Sequence, residues 1–226
     1  MLRHIYTIAS NAKADSTDIS RLNPADSLFG WVGNGPNQAI MGRLVFDFAR
    51  FETPELAWFK VPYPYGDWHY DSGKWQQKTG SHASTIVIAD NWRIFTHAPL
   101  APIAEKIDSF DPDSVQARYF RAMLPGNRAC FTIRFWNLDE TELQRLLWCL
   151  ELESGLAHKM GNSRYLGFGS LKLSVLPESY LIDWTKRYTG KSLNAWHTPL
   201  DVDRKAAQKT VQNYSALKKA LNAEHL

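Results

Sequence analysis

The chain has 226 residues, of which 44% are hydrophobic and 22% charged, with 13 glycines and 11 prolines. That length suits one large domain and that composition is globular, which excludes disordered, collagenous and coiled-coil proteins. The formal net charge is only +3, but residues 185–226 carry eight Lys/Arg against three Asp/Glu, leaving the first 184 residues slightly acidic. A basic C-terminal segment fits either an anionic partner or a solvated helix face.

No apolar run approaches the roughly 18 residues of a membrane span. The N-terminus lacks the apolar stretch of a signal peptide, so a membrane partner is not expected. Cys130 and Cys149 stand 19 apart, in no metal-binding pair, and the reading is a protein of the reducing cytoplasm.

In chain order, residues 4–12 suit a short helix. Residues 33–37, Gly-Asn-Gly-Pro-Asn, read as a turn. Leu44, Phe46 and Phe48 alternate with polar neighbours, as in a strand with one face in a core. Residues 52–82 mix three prolines with Trp58, Phe59, Trp68, Tyr70 and Trp75, and read as an irregular aromatic insertion with a short hairpin at Asp71-Ser72-Gly73-Lys74-Trp75. Residues 84–90 suit a strand, and 98–115 a Pro- and Asp-rich loop with room for one helical turn.

A strand is expected over 130–136, with Phe131, Ile133 and Phe135 inward. A helix follows, capped by Asn137 with Glu140 as its capping-box partner, striped by Leu143, Leu146, Leu147 and Leu150 and stopped by Gly155. A glycine-rich loop over 158–169 leads into a strand over 170–175, with Leu171, Leu173 and Val175 on one face. Strand, helix, loop and strand make half of a ferredoxin-like unit. Val211, Tyr214, Leu217 and Leu221 predict one helix over 203–223, docked on its own domain or on a neighbour.

Phosphate-binding, nucleophile-elbow and zinc motifs are absent from the sequence, and the seven histidines have no metal-ligand spacing, so no cofactor or metal is expected. The glycine loop is the informative element. Gly161, Asn162, Gly167 and Gly169 allow close backbone approach. Lys159, Arg164 and Lys172 supply charge, and Tyr165 and Phe168 supply ring faces. A single-stranded nucleic acid would find donors, charge and stacking together. A tight helix-to-strand connection, with Phe168 in a core, explains the same residues.

This loop resembles the C-terminal glycine-rich loop of the RAMP superfamily of CRISPR-associated proteins. Leu28-Phe29-Gly30 and Gly42-Arg43-Leu44-Val45-Phe46, preceded by Arg21 to Asp26, resemble a second hallmark of that family. The strand-helix over 130–152 is also similar to the family's. The likeness spans roughly residues 1–176 and is nearest to the backbone subunits of type III effectors. It implies an α+β, ferredoxin-like (RRM-like) core over 1–184 and a basic helical tail over 185–226. It also implies an antiviral role in which the chain holds the sugar-phosphate backbone of CRISPR RNA and packs on other effector subunits, with target RNA a further possible partner. On this reading Arg3, Arg43, Lys159, Arg164 and Lys172 take phosphates. The loop's Gly161, Asn162, Gly167 and Gly169 lie close to the RNA, and Tyr165 or Phe168 stack on it.

Met1-Leu2-Arg3 resembles the end of a family segment that follows the first strand. The expectation is therefore a chain that begins after the catalytic Asp of cleaving members and needs a partner segment to complete its sheet. Two alternatives stand beside this reading: a metal-dependent endoribonuclease using Asp15, Asp18 or Asp26, and an assembly subunit whose Trp-rich region 58–92 binds protein.

Overall fold

A computed structural model describes residues 1–62, 68–77, 85–110, 116–190, 195–200 and 203–226. The fold is mixed α/β with small sheets. Helix α1 (Leu2–Ala9) buries Leu2, Ile5, Tyr6, Ile8 and Ala9. Helix α2 (Pro24–Phe29) starts on Asn23, whose side chain accepts from the Asp26 amide at 2.9 Å, with Pro24 pre-set for the first helical position. Strands β1 (Gly30–Val32) and β2 (Ala39–Met41) pair antiparallel around the expected turn.

Between α2 and strand β3 (Leu44–Phe46) the backbones almost touch. A Cβ on Gly42 would lie 2.5 Å from the Phe29 carbonyl carbon, and one on Gly30 would lie 2.7 Å from the Gly42 nitrogen. The spaced glycines of this segment therefore serve a close crossing of main chains.

Strand β4 (Leu56–Pro62) lies inside the region expected to be irregular. Pro54 precedes the strand and Pro62 ends it, so neither interrupts it and Ala57, Phe59 and Val61 still alternate inward. The hairpin at Ser72-Gly73 forms as expected, between β5 (Trp68–Asp71) and β6 (Lys74–Gln77). Strand β7 (Thr85–Ile88) pairs with β8 (Trp92–Phe95) across Ala89 and Asp90, both at positive φ. The rest of the aromatic insertion (63–67 and 78–82), residue 83, the first residue of the expected strand (84) and residues 111–115 of the Pro/Asp-rich loop lie outside the described residues. That loop carries a strand, β9 (Glu105–Ile107). With β10 (Ala117–Met123) it flanks β4 in a three-stranded antiparallel sheet.

Strand β11 (Ile133–Phe135) pairs antiparallel with β3. Only the centre of the expected face is sheltered: Leu44 is buried, Ile133 and Phe135 are partly so, and Phe48 is 92% exposed. Helix α3 (Glu140–Leu150) begins two residues later than expected. Its cap is Asp139, which accepts from the Glu142 amide at 2.7 Å while Glu142 reaches back to the Asp139 amide at 3.1 Å. Asn137 instead takes a left-handed φ of 52°. The helix ends at Leu150, short of Gly155.

Strands β12 (His158–Lys159) and β13 (Ser170–Leu171) close the glycine loop. The half-buried alternation of Leu171, Leu173 and Val175 continues past the paired residues. Strands β14 (Tyr180–Ile182) and β15 (His197–Pro199) pair around helix α4 (Trp184–Thr189).

The expected helix over 203–223 is two helices, α5 (Arg204–Lys209) and α6 (Tyr214–Leu221). The break has a physical cause. Its Gln212 amide donates to the Ala9 carbonyl at 2.7 Å and the Asn213 side chain to the Ile8 carbonyl at 3.1 Å, which satisfies the end of α1. Ala207, Val211, Leu217, Ala220 and Leu221 join α1 and α3 in the larger core, so this segment docks on its own chain. A second core gathers Ala57, Phe59, Val61, Ala101, Leu166 and Phe168.

Candidate nucleic-acid interface

The glycine loop is pinned at its base and open at its crest. The Met160 amide donates to the Gly169 carbonyl at 2.8 Å, and the Ala101 amide donates to the Leu166 carbonyl at 3.0 Å. Gly167 (φ 96°) and Gly169 (φ 83°) sit where a Cβ would overlap main chain, 2.3 Å from the Pro99 oxygen and 1.8 Å from the Met160 oxygen. Gly161 (φ 94°) has nothing within 4 Å of its would-be Cβ. Asn162 is exposed, and its side chain accepts from the Ser163 amide at 2.8 Å. The residue in the left-handed region beside it is Ser163.

The expected cations divide. Lys172 is exposed beside the loop. Arg164 lies with its guanidinium carbon 4.7 Å from the Phe95 ring centroid. Arg43 is turned inward: its guanidinium forms a two-point ion pair with Glu142 and also donates to the Asn137 carbonyl at 2.5 Å and the Ser27 hydroxyl at 3.1 Å. That pairing raises the Arg43 pKa and joins α2, β3 and α3. Arg3 pairs with Asp26 at 2.5 Å. Phe168 is core, edge-on to both Phe59 and Phe120 at 5.1 Å. Tyr165 packs against the same core.

Lys159 was expected to face phosphate and is instead 5% exposed. Its ammonium donates to the Ser170 hydroxyl at 3.3 Å, and burial pushes its pKa down to about 8. Ser170 Oγ lies 2.8 Å from His97 Nδ1, while His97 Nε2 faces the Ala157 carbonyl at 2.9 Å. The carbonyl requires a proton on Nε2, so Nδ1 accepts from Ser170. Burial holds the His97 pKa down to about 4, so the imidazole is neutral near pH 7. The cluster thus places one buried cation beneath the loop. His97 and Ser170 were not singled out in the sequence, where only the placement of His158-Lys159 and Ser170 at the two ends of the loop hinted at a shared base.

Two further aromatic and cationic surfaces escaped the sequence reading. On the three-stranded sheet, Arg121 lies 5.9 Å from the Trp58 ring and Phe110 packs on both Trp58 and Tyr119. On α4, Arg187 lies against Trp184 and Trp196.

The acids of the nuclease alternative are only partly brought together: Asp15 and Asp26 share a cleft and Asp18 does not line it. Asp26 accepts from Arg3, Ser16 and Asn23, and Asp18 accepts from Ser20. Asp15 lines a cleft of about 520 Å³ with Asp26, Asp90 and Lys13. Among the described residues no three His, Cys, Asp or Glu side chains are grouped to hold a metal ion, and no helix is long and apolar enough to cross a membrane. No protein-family model matches the chain, and no curated protein matches it either.

Proposed function

We propose that the chain is a RAMP-superfamily subunit with a ferredoxin-like core that holds the backbone of CRISPR RNA in a type III-like effector and packs on neighbouring subunits. The observation that carries the reading is the glycine loop. Its two inner glycines are fixed by contact with main chain, while Gly161 is open, with the Lys159 ammonium buried at the base of the loop and Lys172 exposed just past the strand that leaves it. A phosphate chain can approach this open glycine closely, meeting peptide N–H groups and positive charge without side chains in the way.

Binding to a single-stranded RNA of about 40 nucleotides over a salt series tests the reading. Each phosphate neutralised contributes about −0.7 to the log–log slope, so several contacts give a steep dependence. A flat salt dependence, or no binding at low salt, overturns it. Lys172→Ala is expected to make the slope shallower by about 0.7.

Packing on neighbours, without RNA contact, is the second reading. It is favoured by Phe48, Val32 and Met41, which are 92%, 79% and 77% exposed around β1, β2 and β3.

A further inference from the structure

Helix α4 is held at its start and covered nowhere. Asp183 accepts from the Lys186 amide at 3.0 Å, and its own amide donates to the Trp196 carbonyl at 2.8 Å, which fixes the helix to β15. None of its six residues is buried. Trp184 is 54% and Tyr188 83% exposed, and their rings stack with centroids 6.2 Å apart. The Arg187 guanidinium carbon lies 4.8 Å from the Trp184 ring and 5.1 Å from the Trp196 ring, bridging the two indoles. Across the hairpin, Tyr180 stacks on His197 at 3.8 Å, and His197 stands edge-on to Trp196 at 4.0 Å. Leaving so much ring surface in water has no return in the fold itself.

We propose that β14, α4 and β15 form a stacking platform for the unpaired bases of single-stranded RNA. The inference rests on the RNA-binding reading above and assigns it a second site, away from the glycine loop. Ring faces offer sequence-independent stacking, and the interleaved guanidinium supplies both a planar stacking group and a charge for phosphate. The local charge agrees, since the helix itself carries Lys186 and Arg187 beside the rings. A membrane surface is held in proportion to buried apolar area, of which a six-residue helix offers little. Duplex RNA keeps its bases inside, so the ligand is a single strand.

The experiment uses the full chain, an RNA of about 40 nucleotides and a salt series. Trp184→Ala and Tyr188→Ala are each expected to weaken binding roughly 5- to 150-fold, with the salt slope and the melting temperature unchanged. Trp184→Phe restores most of the affinity, because a ring is what the base needs. Arg187→Ala weakens binding and also reduces the slope by about 0.7. If the unaltered chain binds RNA and both alanine variants bind within about twofold of it, the platform is overturned while the RNA-binding reading stands. If the unaltered chain binds no RNA, that reading falls and the platform with it. Retained RNA affinity with lost association to another protein would make the surface a protein interface and overturn the proposal.

Discussion

Lys159 and His97 are bases taken out of water, and both hold pKa values below their ordinary ones. For each, the unfolded chain binds more protons than the folded one between the two values, so stability rises with pH across that window. For His97 the window runs from about 4 to the ordinary 6.5, and for Lys159 from about 8 to 10.5. Each contributes roughly 3 kcal/mol at most. The expected outcome is a melting temperature that climbs on leaving acid, is level near pH 7 and climbs again from about pH 8 to 9, above which the buried Cys149 thiol, its pKa raised by burial, opposes the climb. Lys159→Met removes the second climb and narrows the first, because the ammonium is one cause of the low His97 pKa; an unchanged profile would show that the ammonium is solvated. Arg43 belongs to the same scale. Its fork grips Glu142, Asn137 and Ser27 together, a geometry that a lysine ammonium cannot reproduce. Arg43→Lys is expected to cost about 1–3 kcal/mol in chemical denaturation without altering the salt slope of RNA binding. The sequence shows that Arg43 is a cation. It does not show that the partner stands 99 positions away.

The glycine loop separates packing from function within one element. Gly167→Ala and Gly169→Ala each force a Cβ into a main-chain oxygen, and are expected to lower stability by about 2 kcal/mol or more. Gly161→Ala meets open space and pays only for its left-handed φ, about 1 kcal/mol, yet it stands where RNA would approach. Denaturant midpoints and RNA affinity, measured on all three, should therefore rank them in opposite orders. The loop's existence was legible from its glycines, and so was the α3 stripe of Leu143, Leu146 and Leu147, because local periodicity and turn chemistry carry both. Strand β4 was not, because counting prolines over 52–82 hid that two of them bracket a clean alternation. The break between α5 and α6 was equally silent. Val211 and Tyr214 keep a helical spacing, while the groups that stop the helix belong to α1, some 200 residues earlier.

At the scale of the whole molecule, exposed apolar side chains occur along the chain from Ile19 to Leu226, and Phe48, Val32 and Met41 are among the most exposed of them. Leu44 begins β3 inside the larger core, but Phe46 stacks on Phe29 at 6.3 Å near the surface and Phe48 lies almost wholly in water. Alternation alone predicted all three inside. Which of them is covered depends on what lies opposite, and only Leu44 has α1 and α2 within the same core. Among the described residues the β3–β11 sheet has two strands, so its outer backbone groups offer an edge to another chain. Exposed Phe48 just past β3, and exposed Val32 and Met41 on the separate β1–β2 pair, are the features expected of surfaces that pack on a neighbouring subunit, at about 25 cal/mol for each Å² removed from water. Sedimentation velocity at increasing protein concentration should then show association of the unaltered chain, and Phe48→Asp combined with Val32→Asp should return a monomer. Both side chains are solvent-facing, so the melting temperature should move little, within about 0.5 kcal/mol of stability. A monomer at every concentration, unaffected by the double substitution, would mean that these surfaces do not pair with a second copy of the chain. The same pair of variants mixed with an effector subunit would then decide whether they pair with anything else.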